Sequence, residues 1–414
     1  MSRTIKHPLP VNGVDMRSQE TALLKGTVRE AFNVTINREG VVSRRSGFEN
    51  RVAGLTLHSL FYWEAGKTVF VADGHQLCVM DEDTFALTPV FNLGTHQPVR
   101  YTEFNNHVYF TNGQVIGSWL KGRASPSPVG VPIPRSLTLS VGMGALPPGR
   151  YAVSCSLTDA FGEEGGATPP EIIHLPNGGG IHLAQLPVGT GYTYNVYLTA
   201  PDGDVLRLAE SFPIVFPSYL VGTLANGAVS ATQGLRPMVA GEYITWHGGR
   251  LFTAKGDTVY FSQPMSPHLT DRAHNYIQCV GTIRFIASVG LFLIVADDQG
   301  VWAFEGVDPE QFKRSHVTEQ LAVAGSSTIA EASAFDSQVV RTTKRVAVWL
   351  SQDGHRVFTN EGECIALNAD RVQITDVPFA FSKPLITNGI KQIVSLTPSI
   401  LSPSHVLPTD SVIE

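Results

Sequence analysis

The chain has 414 residues, beyond the length at which one hydrophobic core keeps growing, so two or more core units are expected. Only 16% of its residues are charged, against about 25% in ordinary soluble domains, which points to surface buried against other chains. A net charge of −6 supplies no basic footprint and excludes a typical nucleic-acid reader, while a mildly acidic surface lets DNA pass without gripping it.

In chain order, residues 1–55 form an N-terminal arm and assembly segment. Strand alternation begins there only at Val34–Asn37 and Val41–Ser43, and Glu20–Ala31 (ETALLKGTVREA) predicts a short helix weakened by Gly26. Arg44 and Arg45 are candidates for a subunit contact or the wall of a DNA channel, with Phe48 closing the tract. Adjacent arginines on a strand face opposite ways.

Residues 56–135 read as the first part of a β-propeller. Leu60–Trp63, Thr68–Ala72 and Gln76–Met80 make three strands of one blade. Arg100–Phe104, an Asn105-Asn106 turn, His107–Thr111, an Asn112-Gly113 turn and Val115–Leu120 make the next. Thr68 and His107 hold matching places 39 positions apart, a spacing that suits blades of about 40–45 residues. A stiff proline-rich strut, Ser125–Pro134 (SPSPVGVPIP), follows.

Residues 136–235 break the register. Tyr151–Thr158, Glu171–Leu175, Ile181–Leu186, Tyr192–Leu198 and Val205–Ala209, joined by turns at Gly178–Gly180 and Pro201–Gly203, belong to seven or so short strands in about 100 residues, the pattern of an inserted sandwich. A Gly/Ala/Ser/Thr seam, Gly222–Gly234, ends it. Residues 236–376 resume the propeller with about three blades, and residues 377–414 form a Pro-spaced, nearly uncharged arm expected to dock on the ring or on a neighbour. The fold class is all-β: an irregular β-propeller-like domain with an inserted sandwich and extended terminal arms.

Cys78, Cys155, Cys279 and Cys364 lie far apart in apolar contexts, without metal-ligand spacing or the density of a disulfide scaffold, and are expected to be buried free thiols. Met1–Pro8 lacks the apolar run of a signal peptide, and no stretch of about eighteen apolar residues predicts a membrane span. Synthesis in a reducing cytoplasm is expected.

No catalytic constellation emerges. His247-Gly-Gly-Arg250 resembles an oxyanion loop, but the nucleophile elbow that accompanies one is absent. Ala296–Trp302 (ADDQGVW) approaches the Asp-box turn of sialidase-type propellers, lacks its serine, and reads as a hairpin with a packed indole. Gly142–Gly149 (GMGALPPG) has glycines spaced like a phosphate loop without the Lys-Ser/Thr that grips phosphate. Asp81-Glu82-Asp83 and Asp202-Gly203-Asp204 read as solvated turns. Catalytic, cofactor and metal residues are all expected to be none.

Gly13-Val-Asp15, Ala31-Phe-Asn-Val34, Gly40 and Arg44-Arg45-Ser-Gly-Phe48 resemble, in order, the start of tail proteins of short-tailed bacteriophages. Tyr243–Ala254 (YITWHGGRLFTA) with Val259–Ser262 and Pro264 looks like a hairpin that recurs in those proteins, placing Gly249, Arg250, Tyr260, Ser262 and Pro264 in its motif. Gly149–Val153, Asp159–Glu164 and Val196–Thr199 with Asp202-Gly203 are similar to virion domains of fibronectin type III kind. The resemblance implies a nozzle, hub or head-completion (packaged-DNA stabilisation) protein. Such a subunit would form a homo-oligomeric ring, a hexamer, below the portal and adaptor in the virion tail. It would touch tail fibres or other tail proteins and let genomic DNA pass without sequence-specific contact. A receptor- or glycan-binding propeller at the tail tip is the alternative, with Trp63, Trp119 and Trp246 lining one groove; a sialidase-like hydrolase is a further one.

Overall fold

Apolar runs bounded by Gly, Asp and Asn turns build a protein of short antiparallel strands. A computed structural model describes residues 13–29, 31, 34–36, 41–44, 51–52, 54, 56–135, 137–186, 189, 191–215, 217–335, 340–342, 344–375, 377–387 and 390–397. The chain divides into two compact units, one of residues 52–279, the other of residues 1–51 with 280–414.

The N-terminal segment contributes a ribbon of β1 (Val34–Ile36) and β2 (Val42–Arg44). The helix expected over Glu20–Ala31 is one 3-10 turn, Glu20–Ala22. It stops at Leu23 (φ −58°, ψ 130°), and Gly26, at φ +87°, turns the chain away.

In the unit of residues 52–279 the first blade is a meander of β3 (Leu57–Trp63), β4 (Thr68–Asp73), β5 (Gln76–Met80) and β6 (Leu87–Asn92). The second holds β7 (Arg100–Phe104), β8 (His107–Thr111), β9 (Ile116–Leu120) and the two-residue β10 (Ser127–Pro128). Asn105 and Asn106 both take positive φ (47° and 60°), as a two-residue hairpin turn requires. Asn112-Gly113, which the sequence marks as an equally tight turn, is a longer loop ending at Ile116. The Asn112 side chain is buried there: it accepts from the Gln114 and Val115 N–H groups and donates to the Leu93 carbonyl of the first blade.

The insert comprises β11 (Thr138–Leu146), β12 (Gly149–Asp159), β13 (Glu171–Leu175), β14 (Gly179–Ala184), β15 (Tyr192–Leu198), β16 (Arg207–Pro213) and β17 (Ser218–Val221). They form two sheets, of order β11-β14-β17 and β13-β12-β15-β16, whose facing side chains share one core around Tyr151, Tyr194, Ile181 and Phe212. Two of the seven strands, β11 and β17, have no counterpart in the sequence reading. The tract Gly142–Gly149 lies mostly in β11, its glycines accommodating a register shift between Gly142 and Leu146.

After the insert come a ribbon of β18 (Arg236–Pro237) and β22 (Leu269–Thr270), and a third blade of β19 (Tyr243–His247), β20 (Arg250–Lys255), β21 (Thr258–Phe261) and β23 (Tyr276–Gln278). The second and third blades pack directly on each other across the excursion. Phe104 and Trp246 stack with ring centroids 3.9 Å apart, and Tyr109, Val129, Met238, Ile244 and Leu251 fill the same core.

In the other unit, one blade holds β24 (Phe285–Val289), β25 (Phe292–Asp297), β26 (Gly300–Glu305) and β27 (Lys313–Thr318). The last holds β28 (Thr328–Glu331), β29 (Arg345–Ser351), β30 (Gly354–Phe358) and β31 (Cys364–Ala366). Phe285 against Trp349 and Phe292 against Phe358 join the two. Among the described residues, four-stranded blades number two before the insert and three after it. Thr68, His107, Leu251, Phe292 and Val346 each fall in the second strand of a blade. The expected arm from 377 begins as an ordered hairpin of β32 (Phe381–Thr387) and β33 (Ile390–Leu396). Its Ile393 packs on the core of the last blade, and the His355 ring meets the Ser395 hydroxyl at 2.8 Å. The four cysteines form no disulfide; Cys364 is half-buried and the other three are buried.

Candidate interaction site

The hairpin motif singled out in the sequence, Tyr243–Ala254 with Val259–Ser262 and Pro264, has a visible physical role. Gly248 and Gly249 take φ of 55° and 79°, closing β19 onto β20. Ser262, fully buried, ties the end of β21 back to the start of β20: its hydroxyl accepts the Leu251 N–H at 3.0 Å and donates to the Gln263 carbonyl at 2.9 Å. Arg250 donates to the Ser262 carbonyl at 3.0 Å and lies over the Phe261 ring. Tyr260 packs on the core between the second and third blades, and Pro264 lies exposed in the next turn. The motif therefore holds the third blade together.

Arg44 is exposed on β2. Arg45 and Phe48 lie outside the described residues. The aromatic groove required by a glycan-binding surface does not form from the three tryptophans. Trp63 is 2% exposed, stacks with Phe70 and lies tilted against Trp119 between the first and second blades, and Trp246 stacks on Phe104 between the second and third. Ala296–Trp302 is a hairpin turn: the buried Asp297 accepts from the Gln299 N–H and the Trp302 indole, and Asp298 pairs with Arg284 at 2.8 Å. Asp81 caps its own turn, where bonds from Thr84 hold its carboxyl below the usual range. Among the described residues, no three His, Cys, Asp or Glu side chains converge to hold a metal ion, and no helix is long and apolar enough to cross a membrane.

Two features of the insert escaped sequence reasoning. The first is the anchoring of loop Asp159–Gly166. Glu164 accepts hydrogen bonds from the hydroxyls of Ser156, Tyr197 (2.6 Å) and Thr232 (3.4 Å), and its carbonyl meets the His268 ring from the third-blade side at 3.1 Å. Burial, reinforced by Glu164, pushes the Tyr197 phenol well above its ordinary pKa. Arg123, from the second blade, lies 3.5 Å over the Phe161 ring of the same loop. The insert is therefore held firmly by its base.

The second is an uncovered flank. Val141 of β11 is 60% exposed, Met143 in the same strand 87%, and Ile172 of the neighbouring β13 59%. Strand β11 carries no charged residue and forms one edge of its sheet. The signal in Thr138–Leu146 (TLSVGMGAL) is its lack of charge, masked by glycines that are spaced like those of a phosphate loop.

No family model matches the chain, and no curated protein does. Solved structures are similar at low identity. The N-terminal part of BBS1, in a complex with ARL6, aligns at 12% identity over 85% of this chain and 93% of that one, with a TM-score of 0.36. The Pan2 WD40 domain of Neurospora crassa aligns at 9% identity over 80% and 83%, with a TM-score of 0.32. Hsv2 of Kluyveromyces marxianus aligns at 10% identity over 83% and 89%, with a TM-score of 0.30. Likenesses of this size say nothing about function, and the description of the fold rests on the strand pairing itself.

Proposed function

We propose that the chain is a non-enzymatic structural protein of a bacteriophage virion. It would be one subunit of a homo-oligomeric tail ring, a hexamer, that forms or closes the DNA conduit below the portal and adaptor. The insert, a domain of fibronectin type III kind, projects toward fibres or other tail proteins, and Arg44, Arg45 and Phe48 lie at subunit contacts or the channel wall. No cofactor and no membrane span enter this reading.

The observation that carries it is the uncovered flank of the insert. An exposed valine and methionine on a charge-free edge are a liability for a solitary soluble chain and an asset for a subunit. The role of Gly249, Arg250 and Ser262 inside a blade agrees, because a shared motif that builds the scaffold fits proteins whose work is geometric. The receptor-binding alternative loses its main support with Trp63, Trp119 and Trp246 packed between blades.

Mass measurement and negative-stain imaging of the purified chain, alone and with portal complex, test the proposal. Six-fold rings that dock on the portal are expected. A chain that stays monomeric under both conditions overturns it.

A further inference from the structure

Sheet edges are where one chain can add a strand to another, and proteins blunt them with charge, proline, shortness or bulges. The last strand of each blade follows this rule. Strand β6 carries Pro89 and its pairing with β5 is register-shifted; β10 has two residues; β23 and β31 have three each. Strand β27 exposes Lys313, Arg314 and His316. In the insert, β13 carries Glu171, β16 carries Arg207, Glu210 and Pro213, and β17 has four residues. Strand β11 differs from all of them, with nine residues and neither charge nor proline.

The register adds a second observation. Val141 pairs with Ile181, which pairs with Val221, so the three side chains form one row on the inner face of the sheet. Ile181 and Val221 are buried, whereas Val141 is largely exposed. The inner face is therefore uncovered at its β11 end, where β13 of the facing sheet approaches and presents Ile172 to solvent.

We propose that β11 accepts an extended strand from a second copy of this chain, supplied by residues 399–407. This rests on the reading of the chain as a ring subunit. An arm passed from each copy to the next is a head-to-tail contact that closes a ring, whereas pairing of two β11 edges would stop at a dimer. The segment lies outside the described residues, and its chemistry is read from sequence. From Gln392 to Thr409 there is no Asp, Glu, Lys or Arg, matching the charge-free edge. Prolines fall at 398, 403 and 408. Successive strand N–H groups point to opposite sides, so with Pro403 turned outward residues 400, 402, 404 and 406 can all donate to β11. Pro398 and Pro408 then bound a pairing stretch equal in length to β11. One face of that stretch carries Leu401, Pro403, His405 and Leu407, three apolar residues and one histidine, a set suited to covering Val141.

Cross-linking of full-length chains tests this. One chain carries Met143→Cys, a second carries Leu401→Cys with a different tag, and both carry Cys364→Ser to remove the half-buried thiol. On mixing and oxidation a covalent heterodimer is expected, with none when Glu82→Cys replaces Leu401→Cys. The idea fails if no heterodimer exceeds the Glu82→Cys control, if Met143→Cys chains link chiefly to themselves, or if a doubly substituted chain closes on itself as a monomer. Val141→Lys, at an already exposed position, is expected to abolish rings while leaving the urea midpoint unchanged. Rings that survive Val141→Lys overturn the strand addition and leave the ring reading standing. Absence of rings in the unsubstituted chain overturns the ring reading, and the cross-link then decides the strand addition by itself.

Discussion

The Thr111 hydroxyl and the Gly241 carbonyl, 130 positions apart in sequence, meet at 2.8 Å. Between them in the chain lie the end of the second blade, the strut and the whole insert, so this bond closes two blades across the excursion. The same hydroxyl lies 2.9 Å from the Val115 carbonyl. Thr111→Val keeps the shape and leaves the buried Gly241 carbonyl without this donor. A loss of about 1–3 kcal/mol in unfolding free energy is expected, read as a lower urea midpoint at unchanged slope. An unmoved midpoint would show that the blades do not depend on this contact.

Glu164 gathers three hydroxyl donors at the base of the insert. Tyr197→Phe removes one of them and should cost about 1 kcal/mol; Glu164→Ala strands all three and should cost about 2–3 kcal/mol. Amide exchange in loop 159–166 should quicken in both variants, more in the second. Equal exchange in wild type and Glu164→Ala would remove Glu164 as the anchor.

Two glycines of the same loop give a differential test. Gly162, at φ +85°, has open space where a side chain would go, so Gly162→Ala meets only backbone strain of about 1 kcal/mol. A Cβ at Gly166 would run into the Leu235 carbonyl oxygen, just past the seam that ends the insert. Gly166→Ala should therefore cost about 3 kcal/mol and loosen the insert. Comparable thermal midpoints for the two variants would contradict the close approach.

Alkaline titration has a defined sign. Burial pushes the Cys155 thiol and the Tyr194 phenol each up to about 12. Unfolded, the thiol ionises near pH ~8.5 and the phenol near ~10. Above those values the unfolded chain binds fewer protons than the folded one. Stability is thus fully present below about pH 8.5 and falls as pH rises toward 12, by about 1.4 kcal/mol per pH unit for each group in its window. Urea midpoints measured between pH 8 and 10.5 should decline, and Cys155→Ala should flatten the thiol's share. A flat wild-type profile would rule out the buried thiol as a contributor.

Much of this architecture was legible because the blades follow a simple rule: an apolar second strand runs directly into a polar turn, as the strands holding Thr68, His107, Leu251, Phe292 and Val346 show. Several strands that escaped contain residues that speak against a strand. In β6, Pro89 hides the pattern; in β11, Gly142 and Gly144 do. Asn112-Gly113 misled because the Asn side chain serves the neighbouring blade and not its own hairpin, a tertiary demand invisible to local propensity. The tryptophans misled in the opposite direction, since an aromatic that stacks between blades and one that binds a sugar look alike in a single sequence. Val141 was invisible for a deeper reason: only the register shows it sharing a row with buried Ile181.

Val129 and Val131 stand two positions apart in the proline-rich strut, yet Val129 is buried in the core between the second and third blades and Val131 in the core of the insert. The strut is thus rooted at both ends, and the insert's interior is completed by a residue that precedes its first strand. A graft that moved residues 136–235 onto another scaffold would leave Val131 behind and open a hole beside Gly165, whose position leaves room for that side chain and little else. Exchange of this domain between scaffolds, in the laboratory or in evolution, has to cut between Val129 and Val131, so that one valine stays to fill the blades and the other travels with the insert.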